Sequence, residues 1–229
     1  MTTALSHPTR SSTAAAGGGR IRVLVVDDHP AVRHGVAGLI EQQPDMTVIA
    51  IASNADDAPA LDGSVDVAVL DYHLGARDGL WLTRRLKQLA RPPRVLIYSA
   101  FADHTLAAAA RIAGADGLLG KCALAEELPI VIRRLAAGRL NLPAVAAPVA
   151  RALRSRLAAR DQALFGMLLH GVDPAEVAAT LAISDAELEL RRAAILSTLS
   201  PPEETGRQAP PTGPLDYERP RRRRGCAAA

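Results

Sequence analysis

Val67-Ala68-Val69-Leu70-Asp71 is an uninterrupted apolar run that ends on a carboxylate, and it decides the fold of this 229-residue chain. Such a run is typical of a buried strand in a parallel sheet. Three further apolar runs also stop at polar side chains: residues 21–26 at Asp27 and Asp28, residues 95–98 at Ser99, and residues 117–120 at Lys121. Because ligands of open parallel sheets lie at the carboxyl ends of the strands, we expect these side chains in one crevice. Three carboxylates, a hydroxyl and an ammonium suit a divalent cation and a phosphoryl group.

The predicted strands alternate with stretches that have the apolar period of helices. The first strand is followed by one amphipathic face, formed by Val32, Val36, Leu39 and Ile40. A second strand is predicted over residues 47–51, and a weaker helix over residues 54–61. Five strand-helix units in alternation predict an α/β fold with a doubly wound, five-stranded parallel sheet of the flavodoxin type.

The sequence changes character after residue 140. Residues 141–154 are interpreted as a linker, and residues 155–200 have a helical period only. Within that segment we predict a helix over residues 157–170, a second helix from Asp173, a tight turn, and a third helix capped by Ser184 and Glu187. This order predicts a small all-α helix-turn-helix domain over residues 155–200. The α/β domain covers residues 21–140, between a disordered leader (1–20) and a disordered basic tail (201–229).

The composition argues against several classes of protein. No apolar stretch approaches the roughly 20 residues that span a bilayer, and the two cysteines form neither a disulfide framework nor a metal-binding spacing. We therefore expect a cytoplasmic protein with no membrane partner. The net charge of +3 conceals a cluster at Arg219 and Arg221 to Arg224, whereas residues 150–200 carry six arginines and six acids. With 3% aromatic residues, the chain has no stacking platform for single-stranded nucleic acid.

Residues 21–140 resemble the receiver domain of two-component response regulators. The order of receiver, linker and helix-turn-helix is similar to the NarL/LuxR class of that family. The resemblance is carried by motifs at the family's spacing: Val26-Asp27-Asp28-His29-Pro30, Asp71 followed by Asp78-Gly79, Ser99-Ala100, and Gly114-Ala115-Asp116-Gly117 leading to Lys121. Two positions depart from the pattern. Leu118 stands at a switch position where many receivers have a Tyr or Phe, and Gly75 stands where a proline is usual.

The resemblance implies phosphoryl acceptance. No motif in the sequence supports an enzyme activity beyond acceptance and slow loss of the phosphoryl group. Asp71 would accept the phosphoryl group from a phosphohistidine of a sensor histidine kinase. Lys121 would offset the negative charge, and Ser99 would donate a hydrogen bond to the phosphoryl group and move inward as the switch. The ligands of a Mg²⁺ ion would be Asp27, Asp28, Asp71 and the backbone carbonyl of His73.

The same resemblance places DNA contacts on the third helix of the helix-turn-helix. The candidate residues are Glu187, Glu189, Leu190, Arg191, Arg192 and Ala193. A carboxylate at Glu189 is repelled by DNA phosphates unless it accepts a hydrogen bond from a cytosine amine. Arg192 stands at a position that is usually apolar and inward, so the domain is a degenerate copy of the motif.

Two hypotheses about function therefore stay open. In the first, the protein regulates transcription by binding double-stranded DNA. In the second, the helix-turn-helix no longer binds DNA, and the protein is a phosphorylation-dependent interaction adaptor. A phosphorylation-dependent homodimer is a further expectation from the family.

Overall fold

A computed structural model describes residues 19–58 and 63–199 of the chain. Its strands are β1 (Ile21–Val26), β2 (Met46–Ala52), β3 (Val67–Leu70), β4 (Arg94–Ser99) and β5 (Gly117–Gly120). Its helices are α1 (Pro30–Glu41), α2 (Gly79–Lys87), α3 (His104–Ala113), α4 (Glu127–Ala136), α5 (Ala147–Ser155), α6 (Ala159–Leu169), α7 (Pro174–Leu181) and α8 (Asp185–Leu199). The predicted leader up to residue 18 and the predicted tail lie outside the described residues.

The five strands form one parallel sheet in the order β2-β1-β3-β4-β5. Successive side chains of a strand point to opposite faces, and both faces are apolar here. Val23 and Val25 of β1 pack into a cluster with residues of α1 and α4, whereas Leu24 and Val26 join the cluster that contains residues of α2 and α3. Helices therefore cover both faces of the sheet, and the predicted doubly wound fold is confirmed.

The weak helix predicted over residues 54–61 is wrong for the part that the structure describes. Residues 53–58 form bends, and residues 59–62 lie outside the described residues. The side-chain oxygen of Asn54 accepts hydrogen bonds from the backbone N–H groups of Asp56 and Asp57, at 3.0 and 2.8 Å. Local bonds of this kind satisfy the backbone without a helix, as Asn side chains commonly do in turns.

The segment predicted as a linker contains a helix that the sequence analysis missed. Helix α5 begins one residue before Pro148, in the first helical turn, where proline is tolerated because no intrahelical donor is lost there. The helix predicted over residues 157–170 is confirmed as α6, which begins two residues later and ends one residue earlier. Helices α7 and α8 follow, joined by a turn in which Ala182 has a φ of 52°. The hydroxyl of Ser184 accepts the N–H of Glu187 at 3.2 Å, as half of the predicted capping box.

Three helices of the C-terminal unit pack on α3 of the α/β domain. Helices α5, α6 and α8 all contact α3, whose sequence includes four consecutive buried alanines, residues 107–110. Short side chains on a helix let its neighbours approach closely. Apolar residues such as Phe165 and Ile195 of the helical unit therefore belong to the same core cluster as Ile112 of α3.

None of the helices within the described residues is both long enough and apolar enough to cross a membrane.

Candidate acidic site at the carboxyl edge of the sheet

Two neighbouring strands deliver the central carboxylates of the site. Asp27 follows β1 and Asp71 follows β3, and the N–H of Asp71 donates to the carbonyl of Val26 at 2.8 Å. Because the strands are parallel and adjacent, both side chains leave the sheet at the same edge. They are only 3% and 5% exposed, respectively. The structure thus brings together two carboxylates that are 44 residues apart in the chain.

Lys121, which follows β5, connects the two carboxylates. Its Nζ lies 2.8 Å from Oδ2 of Asp27 and 2.8 Å from Oδ2 of Asp71. Burial raises the pKa of the Asp71 carboxyl and the charge of Asp27 adds to the effect, while Lys121 opposes it. Burial acts to lower the pKa of Lys121, but its bonds to the two carboxylates outweigh burial, so this pKa is raised. Lys121 therefore stays an ammonium that offsets part of the negative charge.

The site can accommodate a divalent cation. One ligand atom from each of Asp27, Asp28, His29 and Asp71 can be chosen such that all four lie within 4.8 Å of one another. Three carboxylates face a single ammonium, and the excess negative charge matches a divalent ion. His73, predicted to contribute its backbone carbonyl, lies two residues after Asp71, and its ring packs edge-on against Tyr72. That carbonyl ligand stays a prediction.

Ser99 and Leu118 lie on the strands next to the acidic cluster. Ser99 ends β4 and is 1% exposed, and its hydroxyl accepts the N–H of Phe101 at 3.2 Å. Its carbonyl accepts the N–H of Lys121 at 2.8 Å, which joins the ends of β4 and β5. Leu118 is fully buried in the core cluster that also contains residues of α3. Ser99 thus ends β4, and Lys121 follows the adjacent strand β5.

Two glycines follow Asp71, and each is required for a different structural reason. Gly75 has a φ of +81°, which proline cannot adopt, so this loop differs from one that carries the usual proline. At Gly79, the first residue of α2, a β-carbon would lie 2.2 Å from the backbone oxygen of Asp71. Helix α2 therefore begins in contact with the backbone of Asp71, and only glycine fits at position 79 without a shift of the helix.

The candidate DNA-contact residues of α8 lie in three environments. Glu187 and Leu190 are exposed, Leu190 by 71%. Arg191 pairs with Asp161 of α6 at 2.8 Å. Three residues face the α/β domain: Glu189, Arg192 and Ala193, the last beside a small cavity that Trp81 of α2 also lines. Half of the predicted set thus faces the α/β domain, and Arg191 is paired within the helical unit.

Two arginines hold α8 against the α/β domain. Arg84 of α2, which the sequence analysis did not single out, donates to the carboxylate of Glu189 at 3.2 Å and to its backbone carbonyl at 3.1 Å. Arg192 is 6% exposed, pairs with Glu189, and donates to the carbonyl of Ile112 in α3 at 3.1 and 2.9 Å. The two contacts join positions that are 80 and 105 residues apart in the chain, so no local sequence pattern could predict them.

Comparisons with known proteins identify relatives of the chain. A model of the response regulator receiver domain matches residues 23–133. The nitrate/nitrite response regulator protein NarL of Escherichia coli (strain K12) is 32% identical over 143 residues, 61% of this chain and 66% of NarL. The match therefore spans just under two thirds of that relative's length. The transcriptional regulatory protein UhpA of Salmonella typhimurium (strain LT2) is 31% identical over 182 residues, 78% of this chain and 91% of UhpA.

The match to UhpA is longer than the α/β domain and its leader together, so it includes part of the helical unit. Among solved structures, a two-component response regulator of the LuxR family from Aurantimonas sp. SI85-9A1 is 34% identical, with a TM-score of 0.52. That similarity covers 58% of this chain and 98% of the solved chain.

Proposed function

Because the chain belongs to the NarL/LuxR class of two-component response regulators, we propose that it is a cytoplasmic, phosphorylation-dependent regulator of transcription. Its receiver accepts a phosphoryl group on Asp71 from a sensor histidine kinase, and its helix-turn-helix binds double-stranded DNA. The protein catalyses no further reaction beyond acceptance and slow loss of that group. The observation that carries the proposal is the bridge from Lys121 to Asp27 and Asp71, with Nζ 2.8 Å from both carboxylates.

The chemistry is a phosphoryl transfer to a carboxylate. An oxygen of Asp71 attacks the phosphorus of the kinase phosphohistidine, the P–N bond breaks, and the imidazole leaves with the bond electrons. Burial leaves the Asp71 carboxylate poorly solvated and raises its pKa, which favours attack by its oxygen. Lys121 neutralises charge that develops on the transferred group. Mg²⁺, when bound by Asp27, Asp28, Asp71 and the carbonyl of His73, supplies further positive charge to the phosphoryl oxygens.

The route from the site to α8 runs through α3. Ser99 ends β4 and begins the loop to α3, whose opposite end holds Arg192 through the carbonyl of Ile112. A phosphoryl group on Asp71 adds about two negative charges and draws the hydroxyl of Ser99 toward it. The loop and the start of α3 move with Ser99, and the packing of α8 on α3 weakens. Glu189 and Arg192 then leave the receiver and become accessible to DNA.

A selection of genomic DNA fragments tests the proposal. The full-length protein is incubated with fragments at near-physiological salt, with Mg²⁺ and with or without beryllofluoride as the phosphoryl mimic. We expect a shared sequence to be enriched only with the mimic, and no enrichment with Asp71→Asn. A deletion of residues 219–229 is the control for charge-driven binding by the arginine cluster, and the enrichment should survive it.

The opposite results support the adaptor hypothesis. If no sequence is enriched, or if binding is salt-sensitive and vanishes with the tail, α8 does not read DNA. Sedimentation of the same samples also tests the proposed homodimer, which should form only with the mimic.

A further inference from the structure

We infer that His29 is a nitrogen ligand of the metal in the acidic site, so that the site favours imidazole-binding transition metals such as Co²⁺ over Mg²⁺. The inference rests on the proposed metal site and adds to it a residue outside the carboxylate and carbonyl set. Its basis is the placement of one imidazole among three carboxylates at the carboxyl edge of the sheet.

The ring of His29 lies close to the carboxylates of Asp27 and Asp28. Its Nδ1 lies 2.6 Å from Oδ1 of Asp28, a hydrogen-bonding distance, and 3.8 Å from Oδ1 of Asp27. A metal bound by Nδ1 would replace the proton shared by His29 and Asp28. The side chain of His29 is 68% exposed and Asp27 and Asp71 are buried, so the imidazole lies on the solvent side of the cluster. A cation among the carboxylates would therefore meet oxygen ligands on the buried side of the site and a nitrogen on the solvent side.

Hydrogen bonds hold the backbone segment that carries the imidazole. The backbone N–H of His29 donates to Oδ1 of Asp27 at 2.8 Å, so the Asp27 carboxylate is fixed relative to the backbone of His29. Pro30 follows in the first turn of α1 and restricts the backbone there. One turn further on, the guanidinium of Arg33 donates to the carbonyl of Asp27 at 2.7 Å. A ligand that is held before the metal arrives loses less conformational entropy on binding.

The chemistry of the donor set determines the metal preference. Mg²⁺ is a hard cation that prefers oxygen ligands and keeps several waters, so a neutral imidazole adds little to its binding. Imidazole binds first-row transition metals well, with affinity rising from Mn²⁺ through Co²⁺ to Cu²⁺. The loss of His29 changes no carboxylate charge. The ratio of Co²⁺ affinity to Mg²⁺ affinity should therefore report on the nitrogen ligand alone.

Two measurements on the full-length protein test the inference. Calorimetric titrations with Co²⁺ and with Mg²⁺ are compared for wild type, His29→Ala and His34→Ala; His34 is an exposed histidine of α1 and serves as the matched control. In His29→Ala the ratio of the two affinities should fall on the order of tenfold, the scale of losses seen when partners of a metal site are removed. In His34→Ala the ratio should not change.

Pulsed electron paramagnetic resonance of bound Mn²⁺ detects the nitrogen directly. The echo of wild type and of His34→Ala should carry modulation from a coordinated nitrogen, and that of His29→Ala should not. Equal losses of Co²⁺ and Mg²⁺ affinity in His29→Ala would mean that His29 only orients Asp28, which overturns the inference. Modulation that persists in His29→Ala would also overturn it. Circular dichroism verifies that each variant is folded, and the exposed ring makes unfolding of His29→Ala unexpected.

The outcome is separable from that of the proposed function. Phosphorylation of wild-type Asp71 by a small-molecule phosphodonor is measured in Mg²⁺ alone. Nitrogen coordination without phosphorylation would contradict the proposed function and leave the inference standing. Phosphorylation without nitrogen coordination would overturn the inference and leave the proposed function standing.

Discussion

The ammonium group of Lys121 holds the carboxylates of Asp27 and Asp71 together at the carboxyl edge of the sheet. The neighbouring residues determine the charge of this site and the room beside it. Lys121 compensates for part of the negative charge, yet the pKa of Asp71 is raised by burial and by the charge of Asp27. The ionised form of Asp71 therefore lowers the stability of the folded protein. Functional sites commonly keep such unfavourable groups because the chemistry requires them.

The first prediction concerns the charge of Asp71. The pKa of Asp71 in the folded protein lies above 3.8, the value expected in the unfolded chain. The protonated carboxyl therefore contributes fully to folding stability below pH 3.8, and this contribution is lost as the pH rises through the folded-state pKa. Asp71→Asn should therefore melt at a higher temperature than wild type near pH 7 without divalent cations. The difference should disappear below pH 3.8, and thermal denaturation across pH measures it. A variant that melts lower at pH 7 would contradict the assigned direction.

The second prediction concerns the space beside Asp71. Gly79→Ala places a methyl group 2.2 Å from the backbone oxygen of Asp71, so α2 must shift. We expect a loss of about 1–3 kcal/mol, the usual cost of overpacking. The matched control is Gly35→Ala, since a β-carbon at Gly35 of α1 has no neighbour within 4 Å. The control should be neutral or stabilising by up to about 1 kcal/mol in chemical denaturation. Equal stabilities of the two variants would refute the packing argument.

Much of the site could be predicted at this scale. Asp71, Asp27, Ser99 and Lys121 follow apolar runs, and parallel strands bring their carboxyl ends to one edge. The direction of the His29 ring could not be predicted, because it depends on the distances among His29, Asp27 and Asp28 in the folded chain. The partners of Arg192 could not be predicted either, since its side chain contacts Ile112 in the other domain.

At the scale of elements, α3 links the two parts of the molecule. Its small residues accept the packing of α5, α6 and α8, and its last turn offers the carbonyl of Ile112 to Arg192. The strands were predictable from uninterrupted apolar runs, and most helices from their period. The bends at residues 53–58 and helix α5 were not, because one depends on hydrogen bonds of Asn54 and the other on packing against α3.

The third prediction concerns the junction of α8 and α3. Arg192→Ala removes two hydrogen bonds to the carbonyl of Ile112 and the pairing with Glu189. Bonds of this kind to a charged group contribute about 1.5–3 kcal/mol, so amides of α8 and of the last turn of α3 should exchange hydrogen faster. Arg160→Ala is the control, because the side chain of Arg160 is 80% exposed. Unchanged exchange in Arg192→Ala would mean that the apolar contacts alone hold α8.

At the scale of the whole molecule, the charge pair between Arg84 of α2 and Glu189 of α8 holds the two domains together. Arg84 and Arg192 both pair with Glu189, a residue predicted to lie at the DNA interface. A carboxylate that is unfavourable near DNA phosphates is thus paired with arginines in the described conformation. In the proposed mechanism, the described conformation and the DNA-bound form use the same residues.

The fourth prediction uses a charge reversal across this interface. Arg84→Glu should repel Glu189, separate the domains and enlarge the molecule in small-angle X-ray scattering without any phosphoryl mimic. Its DNA binding, if α8 reads DNA, should no longer depend on the mimic. The double variant Arg84→Glu with Glu189→Arg restores the opposite charges, so its scattering should return toward that of wild type. A double variant as expanded as the single one would show that this pair does not control closure.

The most direct test of the account is the mass of the intact protein after incubation with a small-molecule phosphodonor and Mg²⁺. Wild type should gain one phosphoryl group, and the gain should disappear with a chelator and in Asp71→Asn, while Asp78→Asn, at the cap of α2, should still be phosphorylated. The absence of a gain in wild type, or a gain of the same size in Asp71→Asn, would contradict the assignment of Asp71 as the phosphoryl acceptor.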